Sequence, residues 1–188
     1  MVQNLKFQSN EISVKRLNRI LAMLFQEISA LEDEDRDLPL RWSMMHMYST
    51  SQMIKILALK RNLDPEIAGI IAALHDYGVV KTKRKENHAK NAKVHVVKFI
   101  ERYNEKARKG LSLITEDELE TILLAITEHS NKDVVSDNEY VELMKDLDSF
   151  DRYLHGIPTT REHGKRIENV VNDLKFNEFM TQNYTLSM

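Results

Sequence analysis

Apolar positions recur at steps of three and four residues along most of the chain, the period of a helix with one buried face. From Glu11 to Leu31, the series Ile12, Leu17, Ile20, Leu21, Leu24, Phe25 and Ile28 marks one such face. Further helices are expected at about 42–61, 65–76, 87–103, 116–130, 139–155 and 161–176. The stretch Ile67–Leu74 differs, because it is apolar all round, and a helix without a polar face belongs at the centre of a domain. The start signals agree. Asp64-Pro65-Glu66 offers an N-cap, a proline at the first helical position and a first-turn carboxylate, and Thr115-Glu116-Asp117-Glu118 has the form of a capping box. Gly78 and the basic run Lys81–Lys85 read as a mobile loop. The acidic run Glu32–Asp37 reads as a solvated loop, since acids at a helix C-terminus oppose the macrodipole. No strand pattern, repeat or linker competes. The expected fold is a single all-α bundle of six to eight helices over residues 1–188, with its core at about 40–156, an N-terminal helix at 11–31 and a C-terminal helix at 161–176.

Composition narrows the chemistry. Five Gly and three Pro in 188 residues are too few for the turns of an all-β domain. The absence of Cys excludes disulfides, thiolate metal sites and thiol nucleophiles, so any metal must be held by His, Asp or Glu. A net charge of −2 gives no electrostatic reason to expect nucleic acid or a membrane surface as partner. Met1–Ser13 carries no apolar leader, and no apolar run is long enough to span a bilayer. A soluble, cytoplasmic protein is expected, with a homodimer left open.

The odd feature of the apolar third helix is its ending, His75-Asp76. A carboxylate after eight nearly apolar residues is costly to bury unless a cation or several donors compensate it. The dipeptide alone is weak evidence, and its companions carry the weight. His46 shares a helix face with Thr50, Met53 and Leu57. His129 continues the stripe Leu119, Ile122, Leu123 and Ile126. Asp148 lies within the stripe Val141, Met144 and Leu147. Three further helices thus bring a metal-type side chain inward beside the His-Asp pair.

These residues resemble the signature of the HD-domain superfamily of metal-dependent phosphohydrolases: His46, then His75-Asp76, then a distant Asp148 in Lys145-Asp146-Leu147-Asp148-Ser149-Phe150-Asp151. The resemblance spans about residues 40–156 and implies an all-α bundle. Glu128-His129-Ser130 and Glu86-Asn87-His88 are similar to a branch whose dinuclear members carry additional His ligands. The implied metal ligands are His46, His75, Asp76, His88, His129 and Asp148. The implied cofactor is one or two divalent ions of Fe, Mn, Co, Ni or Zn. The implied reaction is hydrolysis of a small phosphate ester or anhydride, a nucleotide being the expected substrate, with metal-activated water as nucleophile. Asp76 would orient that nucleophile, and Lys132, Lys81 and Arg41 would offset phosphate charge. Many members read His-Asp-Ile-Gly-Lys, whereas Val79 stands here where they carry Lys. That departure keeps a second reading open, a catalytically weak nucleotide-binding or regulatory module. His95, His155 and His163 read as ordinary packed or helix-end histidines.

Overall fold

The computed structural model describes residues 12–107 and 110–176. Glu11, most of Met1–Ser13 and everything after Phe176 lie outside the described residues, so the outer limits of the expected domain do too. Among the described residues there are eight helices and no strand: α1 Lys15–Ser29, α2 Leu40–Lys60, α3 Pro65–Leu74, α4 Tyr77–Thr82, α5 His88–Glu105, α6 Glu116–Glu128, α7 Glu139–Leu154 and α8 Arg161–Asp173. The all-α expectation holds. No described helix is long and apolar enough to cross a membrane.

Helix α3 is the axis of the packing. All ten of its residues are buried, and α1, α2, α6 and α7 surround it. Its start follows from the sequence: Asp64 Oδ1 accepts from the backbone N–H groups of Glu66 at 2.7 Å and Ile67 at 3.1 Å, and Pro65 holds the first position. Glu66 is buried as well, and its carboxylate accepts from Arg16 Nε and from the Arg16 backbone N–H, each at 2.7 Å. Arg16 also reaches Glu118 on α6 at 2.8 Å, so one charge cluster joins α1, α3 and α6. Such a buried pair adds little net stability, yet removing one partner costs about 3–5 kcal/mol. The buried apolar side chains form one continuous cluster around this axis.

Two loop expectations need correction. Residues Tyr77–Thr82 are helical, and the chain turns only at Lys83, which takes a left-handed φ of 66°. Gly78 here serves close packing rather than a turn. A Cβ at that position would lie 2.1 Å from the His88 carbonyl oxygen and 3.0 Å from Ala92 N, so the missing side chain lets α4 press against the start of α5. The acidic run is not simply solvated either. Asp37 Oδ2 accepts from Lys85 N at 2.8 Å, Asp37 N donates to Lys83 O at 2.9 Å, and Arg84 pairs with Asp35 at 2.9 Å. The acidic and basic loops hold each other.

Gly78→Ala is expected to destabilise by about 1–3 kcal/mol through overpacking against α5 backbone. Gly164 sits in α8 with nothing within 4 Å of a built Cβ, so Gly164→Ala is expected to be neutral or stabilising by about 0.5–1 kcal/mol. Thermal melts of the two variants check this, and equal melting temperatures would contradict the packing role of Gly78.

Candidate metal centre

His75 and His129 occupy equivalent places, each as the C-terminal cap of its helix. The last carbonyls of a helix lack intrahelical partners, and each imidazole uses one of them. His75 Nδ1 donates to Ala72 O and His129 Nδ1 donates to Ile126 O, both at 2.7 Å. A carbonyl accepts only, so the ring proton sits on Nδ1 and the Nε2 lone pair faces away from the helix end. His88, at the start of α5, does the same with Lys85 O at 2.7 Å. His46, in the middle of α2, has no free helix carbonyl to use; its Nδ1 donates to Asp151 Oδ2 at 2.5 Å. Ser49 Oγ holds the other oxygen of that carboxylate at 2.6 Å.

Four Nε2 lone pairs therefore converge, and they do so in two pairs around Asp76. His46 and His75 face each other with Nε2 atoms 3.0 Å apart, near Asp76 Oδ2 at 3.8 and 3.7 Å. His88 and His129 face each other at 3.1 Å, near Asp76 Oδ1 at 3.2 and 3.7 Å. Asp148 Oδ1 adjoins the first pair, 3.1 Å from His46 Nε2 and 3.8 Å from His75 Nε2. Two facing lone pairs at these separations repel unless a proton or a cation lies between them. Ligand bonds of about 2.0–2.2 Å put neighbouring donors on one ion roughly 3 Å apart. The sets His46, His75 and Asp76, and Asp76, His88 and His129, each have donor atoms within 4.8 Å of one another. The donor chemistry fits a divalent cation in either set, and the negative ends of α3 and α6 favour one.

Electrostatics point the same way. Burial pushes both carboxylates upward, but neighbouring groups overcome it and hold them well below the usual range: for Asp76 the histidines that face it, His75 first and then His129 and His88, each favouring the carboxylate when it carries a second proton, and for Asp148 the charge of Lys132 and then His46. Burial would lower His46, yet its bonds to Asp148 and Asp151 raise it to about 10. His75 is fully buried and is lowered to about 4, with His46 and His129 adding to the effect of burial. The acids around His46 thus favour a positive charge at its Nε2, which a metal cation would supply in place of a proton.

The HD domain, as a family model, matches residues 44–153, more than half of the chain. The chain belongs to the HD-domain family. Comparison with curated proteins and with solved structures gives no match. The HD signature residues His46, His75, Asp76 and Asp148 lie together as described, and His88 and His129 stand beside them. All of these except the fully buried His75 border a cavity of about 580 Å³ that also takes in Lys132, Trp42, Lys85, Arg152 and His163. Lys132 Nζ donates to Asp148 Oδ2 at 2.6 Å.

Arg41 and Lys81 are not brought to this HD-domain cavity. Arg41 is five residues from His46 on α2, about 140° around the helix, and lines an apolar groove with Phe25 and Met44. Lys81 sits one helical turn after Tyr77, and Lys81 Nζ and the Tyr77 hydroxyl both donate to Glu27 on α1. Once 77–82 is a helix, Lys81 follows Tyr77 away from Asp76. Sequence reasoning gave no role to Asp151, Trp42, Arg152 or His163. Asp151 and Arg152 follow Asp148 by three and four residues, a spacing that places them on one helix face and could have flagged them. Trp42 stacks on the His46 ring at 5.6 Å and 8°, one helical turn earlier. His163 proves to border the cavity rather than to be an ordinary helix-end residue.

Chelation should lower the melting temperature and added Mn or Fe restore it, since binding to the folded state at 100 times Kd adds about 2.7 kcal/mol. Asp151→Asn should weaken metal binding about 10–100-fold by releasing the His46 ring. Metal titrations followed by melting check both, and a melting temperature indifferent to metal would contradict the site.

Proposed function

We propose that this HD-domain protein is a metal-dependent phosphohydrolase cleaving a small phosphate ester or anhydride, with a nucleotide as substrate class and two divalent ions of Mn, Fe, Co, Ni or Zn in the centre. The observation that carries this reading is Asp76, which offers one oxygen to His46 and His75 and the other to His88 and His129. His46, His75, Asp148 and Asp76 Oδ2 would hold one ion; His88, His129 and Asp76 Oδ1 would hold the other. Bound ions supply polarisation of the phosphoryl oxygen and a lowered pKa for coordinated water.

The chain's own residues do the rest. Asp76, shared by both sets, orients the attacking water between them. The His46 ring is fixed on one side by Asp151 and on its face by Trp42, so its donor atom does not swing. Lys132 lies on the cavity wall beside Asp148 and supplies the cation that the His75-Asp76-Tyr77-Gly78-Val79 run lacks. This favours turnover over the weak-module reading. Leu38, Trp42 and Ile157 give the cavity an apolar wall suited to the uncharged part of a small substrate, and about 580 Å³ is a small-molecule volume.

Phosphate release from a nucleotide panel with added Mn, Co or Ni is expected from the wild type, and release at the buffer level from the His75→Ala–Asp76→Ala double variant. Equal rates in the two proteins would sink the hydrolase reading. Metal analysis counts the ions: with two-metal clamping, His88→Ala and His129→Ala should each lower the content from about two to about one per chain, while His46→Ala removes the first. Full metal in both of the former variants, with activity alone reduced, would leave a mononuclear centre.

A further inference from the structure

The cavity holds a cation that the metal centre does not use. Arg152 follows Asp148 by one turn of α7, about 6 Å along the axis, and borders the same cavity. Its Nε, like that of Arg19 outside the cavity, is buried without a hydrogen-bond partner, and the Arg152 guanidinium has no carboxylate partner among the described residues. The other arginines near buried acids are paired: Arg16 with Glu66 and Glu118, Arg61 and Arg166 with Asp146. A guanidinium is always charged and presents a planar fork of donors that matches phosphate oxygens. Arg152 is only partly buried, so its unpaired guanidinium stays available to an anion entering the cavity.

His163 supplies a second donor. It enters from α8, and its Nδ1 accepts from Thr160 N at 3.4 Å and meets Thr160 Oγ1 at 2.9 Å. An accepting Nδ1 leaves the proton on Nε2, the reverse of the four histidines around Asp76. Burial, together with the charges of Lys132 and Arg152, lowers His163, which keeps it neutral and a donor at Nε2. Around the cavity His46, His88 and His129 turn Nε2 toward cations, and His163 offers an N–H.

We propose that Arg152 and His163 form a subsite for a second anionic group of the substrate, the phosphate that is not attacked, so that the protein selects a phosphoanhydride such as a nucleoside diphosphate over a lone monoester. The inference rests on the hydrolase reading for its meaning, but its test does not require turnover. The probes are imidodiphosphate, whose bridging nitrogen resists hydrolysis, and inorganic phosphate, each titrated calorimetrically into metal-saturated protein. The wild type should bind imidodiphosphate at least about tenfold more tightly than phosphate, a difference of about 1.4 kcal/mol. Arg152→Gln should lose about that factor for imidodiphosphate and less than about twofold for phosphate, with unchanged metal content. Arg152→Lys should fall between, because it keeps the charge without the fork. His163→Phe should also reduce the preference. Equal wild-type affinities for the two probes, or a preference retained in Arg152→Gln, would overturn the subsite. A wild type that shows the preference but releases no phosphate from any nucleotide would instead overturn the hydrolase reading and leave the subsite standing.

Discussion

Four imidazoles each donate the Nδ1 proton in a hydrogen bond to an oxygen that can only accept, and this fixes the direction of four Nε2 atoms. The rest of the site follows from that restriction. Two of the acceptors are the last carbonyls of α3 and α6, which every helix end must satisfy somehow; one is the turn carbonyl of Lys85; the fourth is the carboxylate of Asp151. With Nδ1 committed, the rings cannot relieve their mutual repulsion by exchanging hydrogen bonds, and a positive charge among them, a proton or a metal ion, would relieve it. The surrounding fold is built to withstand this. The most heavily buried helix, α3, carries His75, and the Arg16–Glu66–Glu118 cluster locks that helix to two of its neighbours.

Much of this was legible in the sequence because it depended on periodicity. The all-round apolar stretch Ile67–Leu74 could only be central, and a His-Asp pair at its end could only be buried at a helix terminus. His46, His129 and Asp148 each interrupt an apolar stripe, so their inward direction followed from the helical repeat alone. The caps at Asp64 and Thr115 were readable for the same reason, since they depend on neighbours in sequence.

What escaped depended on contacts between segments distant in sequence. Gly78 reads as a turn residue by composition, but its real neighbour is the α5 backbone ten residues on, which no local pattern reveals. The direction of Lys81 hinged on whether 77–82 coils, and the opposing Glu27 lies on another helix. Arg41 was placed by its charge, whereas its angle on α2 sends it to the far side of the helix. Asp151 and Arg152 were visible in the right segment, yet their separate tasks emerge only once His46 and the cavity are placed around them. The three aspartates of the α7 segment are sorted the same way: Asp146 faces Arg61 and Arg166, while Asp148 and Asp151 face the histidines.

The missing side chain of Gly78 bears on how the histidines are held. His75, Asp76 and His129 sit at the ends of helices that the core packs around, so folding itself holds their geometry. His88 belongs to a helix whose approach is set by the contact of its own carbonyl with residue 78. A side chain at position 78, which bears no reactive atom, would therefore push His88 away from Asp76 while leaving His46 and His75 in place.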